Sequence, residues 1–170
     1  MSPRAEQDSP WKEGTRLFFR SFLRLCFPDV ESAIDWSRGV EFLDKELQQI
    51  NHNAATGKQY VDLLVKVWLL TGVEEWFLVH LEIQHHPEQN FAERLFYYFC
   101  SILILYRQKV STLVILADKD PKWRPQRYEM KLPGTRVEFE FSTCKLLDMT
   151  QDVEKLERSK EPAAVMVLAN

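Results

Sequence analysis

Two runs of strict alternation occupy the middle of the chain. From 61 to 69, Val61, Leu63, Val65, Val67 and Leu69 fall on one side of an extended strand, and Asp62, Leu64, Lys66 and Trp68 on the other. From 75 to 85, Phe77, Val79, Leu81 and Ile83 share one side, and Trp76, Leu78, His80, Glu82 and Gln84 the other. Gly72 is the one glycine between them, so the two runs read as a hairpin turning there. Upstream, 12–26 has the period of an amphipathic helix with Leu17, Phe18, Phe22 and Leu25 inward, and Pro28 stops it. A further helical turn is expected over 29–34, a strand over 40–47 whose charged Asp44-Lys45-Glu46 would equally suit a helix, and a polar loop over 51–57. Downstream, Pro87 breaks the strand and 88–108 carries a helical stripe of Phe91, Leu95, Phe99, Ile102 and Tyr106. The β-branched run 110–117 predicts a buried strand, which a right-handed crossover would lay parallel to the Glu82 strand. A strand over 136–142, a charged helix over 147–160 and an apolar, strand-like end over 163–170 complete the reading.

The hairpin carries the candidate chemistry. Asp62 and Glu82 are equidistant from Gly72, so pairing about that turn sets one carboxylate opposite the other on one face. Like charges facing across a ladder repel by roughly 0.2–1 kcal/mol, and by more when desolvated. A hard divalent cation would reward such a pair, since Mg²⁺ takes oxygen ligands and often only one or two carboxylates. The alternative without a ligand is that one side chain leans into water, or that Lys66 and His80 on the same face neutralise the pair. Short polar motifs often occur without function, so the hairpin alone leaves both readings open.

The stretches Asp35-Trp36-Ser37-Arg38-Gly39-Val40-Glu41-Phe42-Leu43-Asp44-Lys45-Glu46-Leu47, Val61-Asp62-Leu63-Leu64-Val65-Lys66-Val67 and Val79-His80-Leu81-Glu82-Ile83-Gln84 resemble the bacterial Rpn (YhgA-like) family of recombination-promoting nucleases and putative transposases. That family belongs to the PD-(D/E)XK nuclease superfamily. The likeness continues through Phe91-Ala92-Glu93-Arg94-Leu95-Phe96, Val114-Ile115-Leu116-Ala117-Asp118, Trp123-Arg124-Pro125 and Phe139-Glu140-Phe141. It implies an α/β fold with a restriction-endonuclease-like core, a mixed central sheet flanked by helices in the order αβββαβ. It also implies a metal-dependent DNA endonuclease using Mg²⁺ or Mn²⁺, with Asp62 and Glu82 as ligands and the Ile83 carbonyl as a further one. Gln84 stands where the superfamily usually has the lysine beside the attacking water; a neutral amide can orient that water only by hydrogen bonds. Trp11-Lys12-Glu13 matches a Trp-Lys-Glu pattern of the family and makes Glu13 a fourth acidic candidate. Gly14 departs from the aliphatic residue usual after it and weakens the helix by up to about 1 kcal/mol relative to Ala.

Composition narrows this picture without redirecting it. A chain of 170 residues, 45% apolar with five Trp and eleven Phe, fits a single domain over 11–170 after a tail over 1–10. Family members commonly run on past this C-terminus, so a truncated domain is one expectation. The N-terminus lacks the apolar core of a secretory signal, and the longest greasy stretch, 96–106, is too short for the roughly 20 residues that span a bilayer. Cys26, Cys100 and Cys144, odd in number and widely spaced, read as reduced thiols in a cytoplasmic protein. His85 and His86 are adjacent, point to opposite sides of a strand, and do not suit two-ligand chelation.

The net charge of −3 and pI of about 5.8 are not those of a strongly basic nucleic-acid binder. Between 118 and 136, however, Lys119, Lys122, Arg124, Arg127, Lys131 and Arg136 outnumber Asp118, Asp120 and Glu129 by three. Arg16, Arg20 and Arg24 recur every fourth residue along one helix face. Arg16, Arg20, Lys122, Arg124 and Arg127 are the candidate contacts to DNA, with an ordinary solvated face as the plainer reading of each set. A homodimer is compatible with the chain. The competing functional class is a nucleic-acid-binding or protein-interaction module that keeps the nuclease fold without turnover.

Overall fold

The computed structural model describes residues 10–43, 61–71 and 76–169. A five-stranded mixed sheet forms its centre. In chain order the strands are β1 (Glu41–Phe42), β2 (Val61–Trp68), β3 (Trp76–Gln84), β4 (Val110–Leu116), β5 (Arg127–Leu132), β6 (Thr135–Glu140) and β7 (Ser142–Lys145). The sheet runs β1-β2-β3-β4-β7, and β5 and β6 form a separate two-stranded ribbon. β1, β2 and β3 are antiparallel to their neighbours in turn, whereas β4 runs parallel to β3 and β7 parallel to β4. The parallel β3–β4 pair is joined by the helix α4 (Phe91–Tyr106), as alternation followed by a helical stripe predicted.

Period 2 sorts the strands into two buried faces. Leu63, Val65, Val67, Phe77, Val79, Leu81 and Ile83 enter a core with Phe19, Phe22 and Leu23 of the N-terminal helices. The opposite face lies under α4: Leu64 and Leu78 pack with Ile102, and Val114 and Leu116 with Phe91 and Leu95. The β5–β6 ribbon closes over this second core with Phe139, and Tyr128 stacks on Phe96 at 5.0 Å. Both sides of β3 are thus out of water, so polar residues on the α4 side must find partners there.

Several expected elements differ in detail. The helix predicted over 12–26 is two, α1 (Pro10–Leu17) and α2 (Phe19–Cys26), interrupted at Phe18. The Thr15 hydroxyl bonds the Trp11 carbonyl one turn back, a bond that bends helices, and Gly14 beside it adds backbone freedom. The Gly14 anomaly also has a packing reason: a Cβ there would meet the Met166 Cε and Sδ at 2.6 Å. α3 (Pro28–Ala33) matches the expected helical turn. Of the strand expected over 40–47, Glu41–Phe42 is extended in the sheet while Val40 and Leu43 flank it outside the strand; 44–47, the loop over 51–57 and Gly72 lie outside the described residues.

The strand expected over 136–142 is two strands, because β6 belongs to the ribbon with β5 and β7 to the central sheet beside β4; at the junction Phe141 donates its N–H to the Gln126 carbonyl (3.1 Å), one step beyond the Arg127–Glu140 pair. β5, not anticipated, is turned back onto β6 through Pro133-Gly134, where Gly134 takes φ 78°. The charged helix over 147–160 is α5 (Leu146–Met149), a 3₁₀ turn, and α6 (Val153–Arg158). The strand-like end over 163–170 is a helix instead, α7 (Pro162–Leu168). Pro162 opens it, and Ala163, Ala164 and Val167 form a buried stripe at helical spacing against the N-terminal helices. The Ser21 hydroxyl of α2 accepts from the Ala163 N–H at 3.0 Å, fixing the start of α7.

Candidate functional site

The β2–β3 register is the one the hairpin parity requires: Asp62 pairs with Glu82, Leu64 with His80 and Leu63 with Leu81. The backbone position of Asp62 is described, and its side chain lies outside the described residues. Glu82 and Gln84 occupy the last turns of the pleat on the α4 side of β3, beside Val114 and Leu116 of β4. Both are buried; the Glu82 side chain is 0% exposed.

A carboxylate in such a place requires a cation, and the first turn of α4 supplies one. Arg94 Nη2 donates to Glu82 Oε1 at 2.7 Å, and the Arg94 side chain is only 12% exposed. The same guanidinium reaches Glu88, on the loop after β3, with Nε 3.2 Å from Oε1 and Nη2 3.2 Å from Oε2. Burial alone would lower the Arg94 pKa, but the Glu82 and Glu88 carboxylates outweigh it and hold the guanidinium above its usual range. His80 Nε2 stands 3.9 Å from Glu82 Oε2, with its ring edge-on to Tyr98. Two carboxylates therefore share one arginine.

Gln84 completes the cluster. Its Nε2 donates to the His86 carbonyl at 2.7 Å and approaches Glu88 Oε2 at 3.4 Å, which fixes the amide with its oxygen inward. That Oε1 is buried and has no hydrogen-bond partner among the described residues. Gln84 thus offers an acceptor where a lysine would offer only donors.

Beyond Gln84 the strand ends open into a cavity of about 510 Å³ lined by His85, His86, Pro87, Ala117, Asp118, Lys119 and Asp120. It lies past the carboxyl ends of the parallel pair β3 and β4, where open α/β sheets commonly bind ligands. His85 is half-buried, with Trp11 of α1 edge-on to it at 5.5 Å. Burial first and His86 second hold its pKa below the ordinary histidine value. On the cavity wall Asp118 is bound by Lys145 from the end of β7, with Nζ at 2.6 and 2.7 Å from the two carboxylate oxygens. Lys145 also donates to the Trp123 carbonyl at 3.2 Å.

The other expected site residues are more scattered. Glu13 is exposed on α1, two residues from Trp11. The Ile83 side chain turns into the opposite core. Arg16 lies over Phe42 and Arg20 over Trp36, with Arg20 Nε 2.9 Å from Glu31. Arg124 makes a two-bond pair with Asp148 at 2.6 and 2.7 Å, and Arg127 lies 3.9 Å from Glu138. Lys122 is exposed. Lys66, one expected neutraliser of the carboxylates, lies with its Nζ 5.1 Å from the Trp68 ring centroid. The three cysteines are free and half-buried, and a hydrogen bond to Cys144, then burial, raises the Cys26 pKa well above the usual thiol range.

Arg94 and Glu88 are the site residues that sequence reasoning missed. A signal existed: Glu93-Arg94 is the sole charged pair in the otherwise apolar sixteen-residue α4, and Arg94 falls one turn before Tyr98, on the face toward β3. Among the described residues no three His, Cys, Asp or Glu side chains gather to hold a metal, a set that excludes the Asp62 side chain. No helix among them is long and apolar enough to cross a membrane. Comparison with protein-family models, curated proteins and solved structures finds no match to this chain.

Proposed function

We propose that this protein is a metal-dependent endonuclease that hydrolyses phosphodiester bonds in DNA, on a core of the PD-(D/E)XK type. The observation that carries the reading is the Asp62–Glu82 pairing on adjacent antiparallel strands, with Gln84 two residues on and β4 parallel beyond a helix. The element order from α1 through β4 agrees with the αβββαβ core that the family resemblance implies. Resemblance and geometry thus converge on one strand.

The donor set fits a hard cation. Glu82 provides a buried carboxylate and Asp62 its cross-strand partner; beside them Gln84 has an amide oxygen with no hydrogen-bond partner among the described residues, open to a water. Asp62, Glu82 and the Ile83 carbonyl would hold Mg²⁺ or Mn²⁺, which when bound would acidify a water and offset charge on the phosphate. Gln84 Oε1 accepts a hydrogen bond from the attacking water and aims its lone pair, while His86 and Glu88 keep the amide from rotating. The cores on both sides of β3 bury Glu82 and Gln84, and the strand opens beyond them at the cavity lined by His85 and His86. Lys119 on the cavity rim and exposed Lys122 are placed to meet backbone phosphates; Arg16, Arg20, Arg124 and Arg127 would exchange their present surface partners, pairs that are each worth about 0–1 kcal/mol.

Supercoiled plasmid with Mg²⁺ or Mn²⁺ tests the reading. Nicking by the wild type that disappears in chelator, in Asp62→Ala and in Glu82→Gln is the expected result. One observation favours the second reading, a binding module without turnover: Glu82 is already neutralised by Arg94. Retention of plasmid without nicking in any metal would select that module.

A further inference from the structure

One cation already occupies the position a metal would claim. Arg94 Nη2 is 2.7 Å from Glu82 Oε1, in a pocket where the carboxylate has no exposure to water. Burying a carboxylate is costly, and this guanidinium offsets part of that cost in the metal-free fold. A divalent ion bound to the same oxygen would repel it strongly at that distance in so dry a setting. An ion on the other oxygen, Oε2, would still lie close to the guanidinium, so metal binding at Glu82 works against the observed Arg94 bond.

The structure also contains the place to which the arginine can retire. Nε and Nη2 lie at 3.2 Å from the two Glu88 oxygens, so a forked pair with Glu88 is already made alongside the bond to Glu82. Glu88 belongs to the loop after β3 and is 24% exposed, nearer solvent than Glu82. The guanidinium also rests over the Phe91 and Tyr98 rings, at 5.2 and 5.5 Å, which favour a cation there whichever carboxylate it holds. Leaving Glu82 therefore does not strand a buried charge.

We infer that Arg94 is an exchangeable internal counter-ion: it neutralises Glu82 until a divalent cation binds, then transfers wholly to Glu88. The inference rests on the metal reading above and adds to it a residue that sets metal affinity. Arg94 is a positioning residue in this scheme. Its presence weakens metal binding, and its absence weakens the metal-free fold.

The test is Mn²⁺ binding to the full chain by titration calorimetry, with thermal midpoints recorded in chelator and in metal. Arg94→Gln, which keeps a hydrogen bond to Glu82 without the charge, is expected to bind Mn²⁺ at least about tenfold more tightly than the wild type while melting lower in chelator. Glu88→Gln removes the second partner and is expected to bind Mn²⁺ more weakly. In the wild type, the Arg94 Nε–Hε resonance should shift as Mn²⁺-free Mg²⁺ is added, a measurement that needs no substituted protein to fold. Mn²⁺ affinity that is lost in Glu82→Gln but unchanged or lower in Arg94→Gln, or a stationary resonance at saturating Mg²⁺, overturns the exchange and leaves the metal reading intact. Binding by Arg94→Gln alone supports the exchange in its strongest form. Binding by neither protein overturns the metal reading and the exchange together.

Discussion

Two buried charge clusters lie near the carboxyl ends of β3, β4 and β7, and they are built differently. Asp118 and Lys145 form a closed pair: one carboxylate and one ammonium, side chains 1% and 2% exposed, with the Trp123 carbonyl taking a further ammonium bond. Asp118 also accepts from the Asp120 N–H at 2.9 Å. Its charges cancel. In the Glu82 cluster Arg94 is shared, among the described residues, by the Glu82 and Glu88 carboxylates, and exposure rises in steps from Glu82 through Arg94 to Glu88. A closed pair with nowhere to go is a fastener, whereas a shared arginine with an outward path can make way for another cation.

Removing one partner of the closed pair should give the largest effect. Lys145→Met leaves Asp118 buried without its ammonium, and breaking such a pair costs about 3–5 kcal/mol. Denaturant unfolding should register that loss, and the double change Lys145→Met with Asp118→Leu should recover much of it. If Lys145→Met costs less than about 1 kcal/mol, the pair is no fastener and the contrast collapses.

The open cluster should respond less in stability and more in function. Glu82→Gln removes one charged hydrogen bond, worth about 1.5–3 kcal/mol, while Arg94 keeps Glu88. Nicking and the Mg²⁺-induced rise in thermal midpoint should both vanish in that variant, and both should survive in the Lys145→Met, Asp118→Leu double variant. Gln84→Ala should slow nicking on the order of 100-fold through a misplaced water, yet leave Mn²⁺ affinity nearly unchanged. Full nicking by Gln84→Ala would remove the orienting role from the amide.

These two clusters were unequally legible in the sequence. Alternation and a single glycine were enough to pair Asp62 with Glu82, because a one-residue slip would turn every apolar side chain of the hairpin the wrong way. The helix between parallel strands followed from a change of period at Pro87. Arg94 was hidden because its partner is twelve residues away across a crossover, a contact that no local period encodes. Lys145 was hidden for the same reason, at a separation of 27 residues. The C-terminal helix was misread because 163–169 is an unbroken apolar run, which period alone does not tell from a buried strand. Its burial instead follows Ala163, Ala164 and Val167, which only the neighbouring helices could select.

A third group of charges, on the surface of α2, gives the scale for the smallest effect. Arg20 and Arg24 share Glu31, at 2.9 and 3.2 Å, and Arg24 also holds Glu161 at 2.9 Å. The Arg20 bond, against a small opposing cost of burial, lowers the Glu31 pKa below its ordinary 4.5; Arg24 does the same for Glu161. Because the folded carboxylates titrate below their unfolded values, the stability they add is complete above about pH 4.5 and disappears as pH falls through the lowered folded values. Wild type and Glu31→Gln should therefore differ slightly in urea midpoint at neutral pH and converge in acid. Added salt should shrink the neutral difference, since the two arginines are about half exposed and their charges are screened. The Asp118–Lys145 effect should hold at high salt, because that pair is shut away from counter-ions. Equal salt sensitivity of the two would mean that burial does not separate fasteners from surface pairs in this protein.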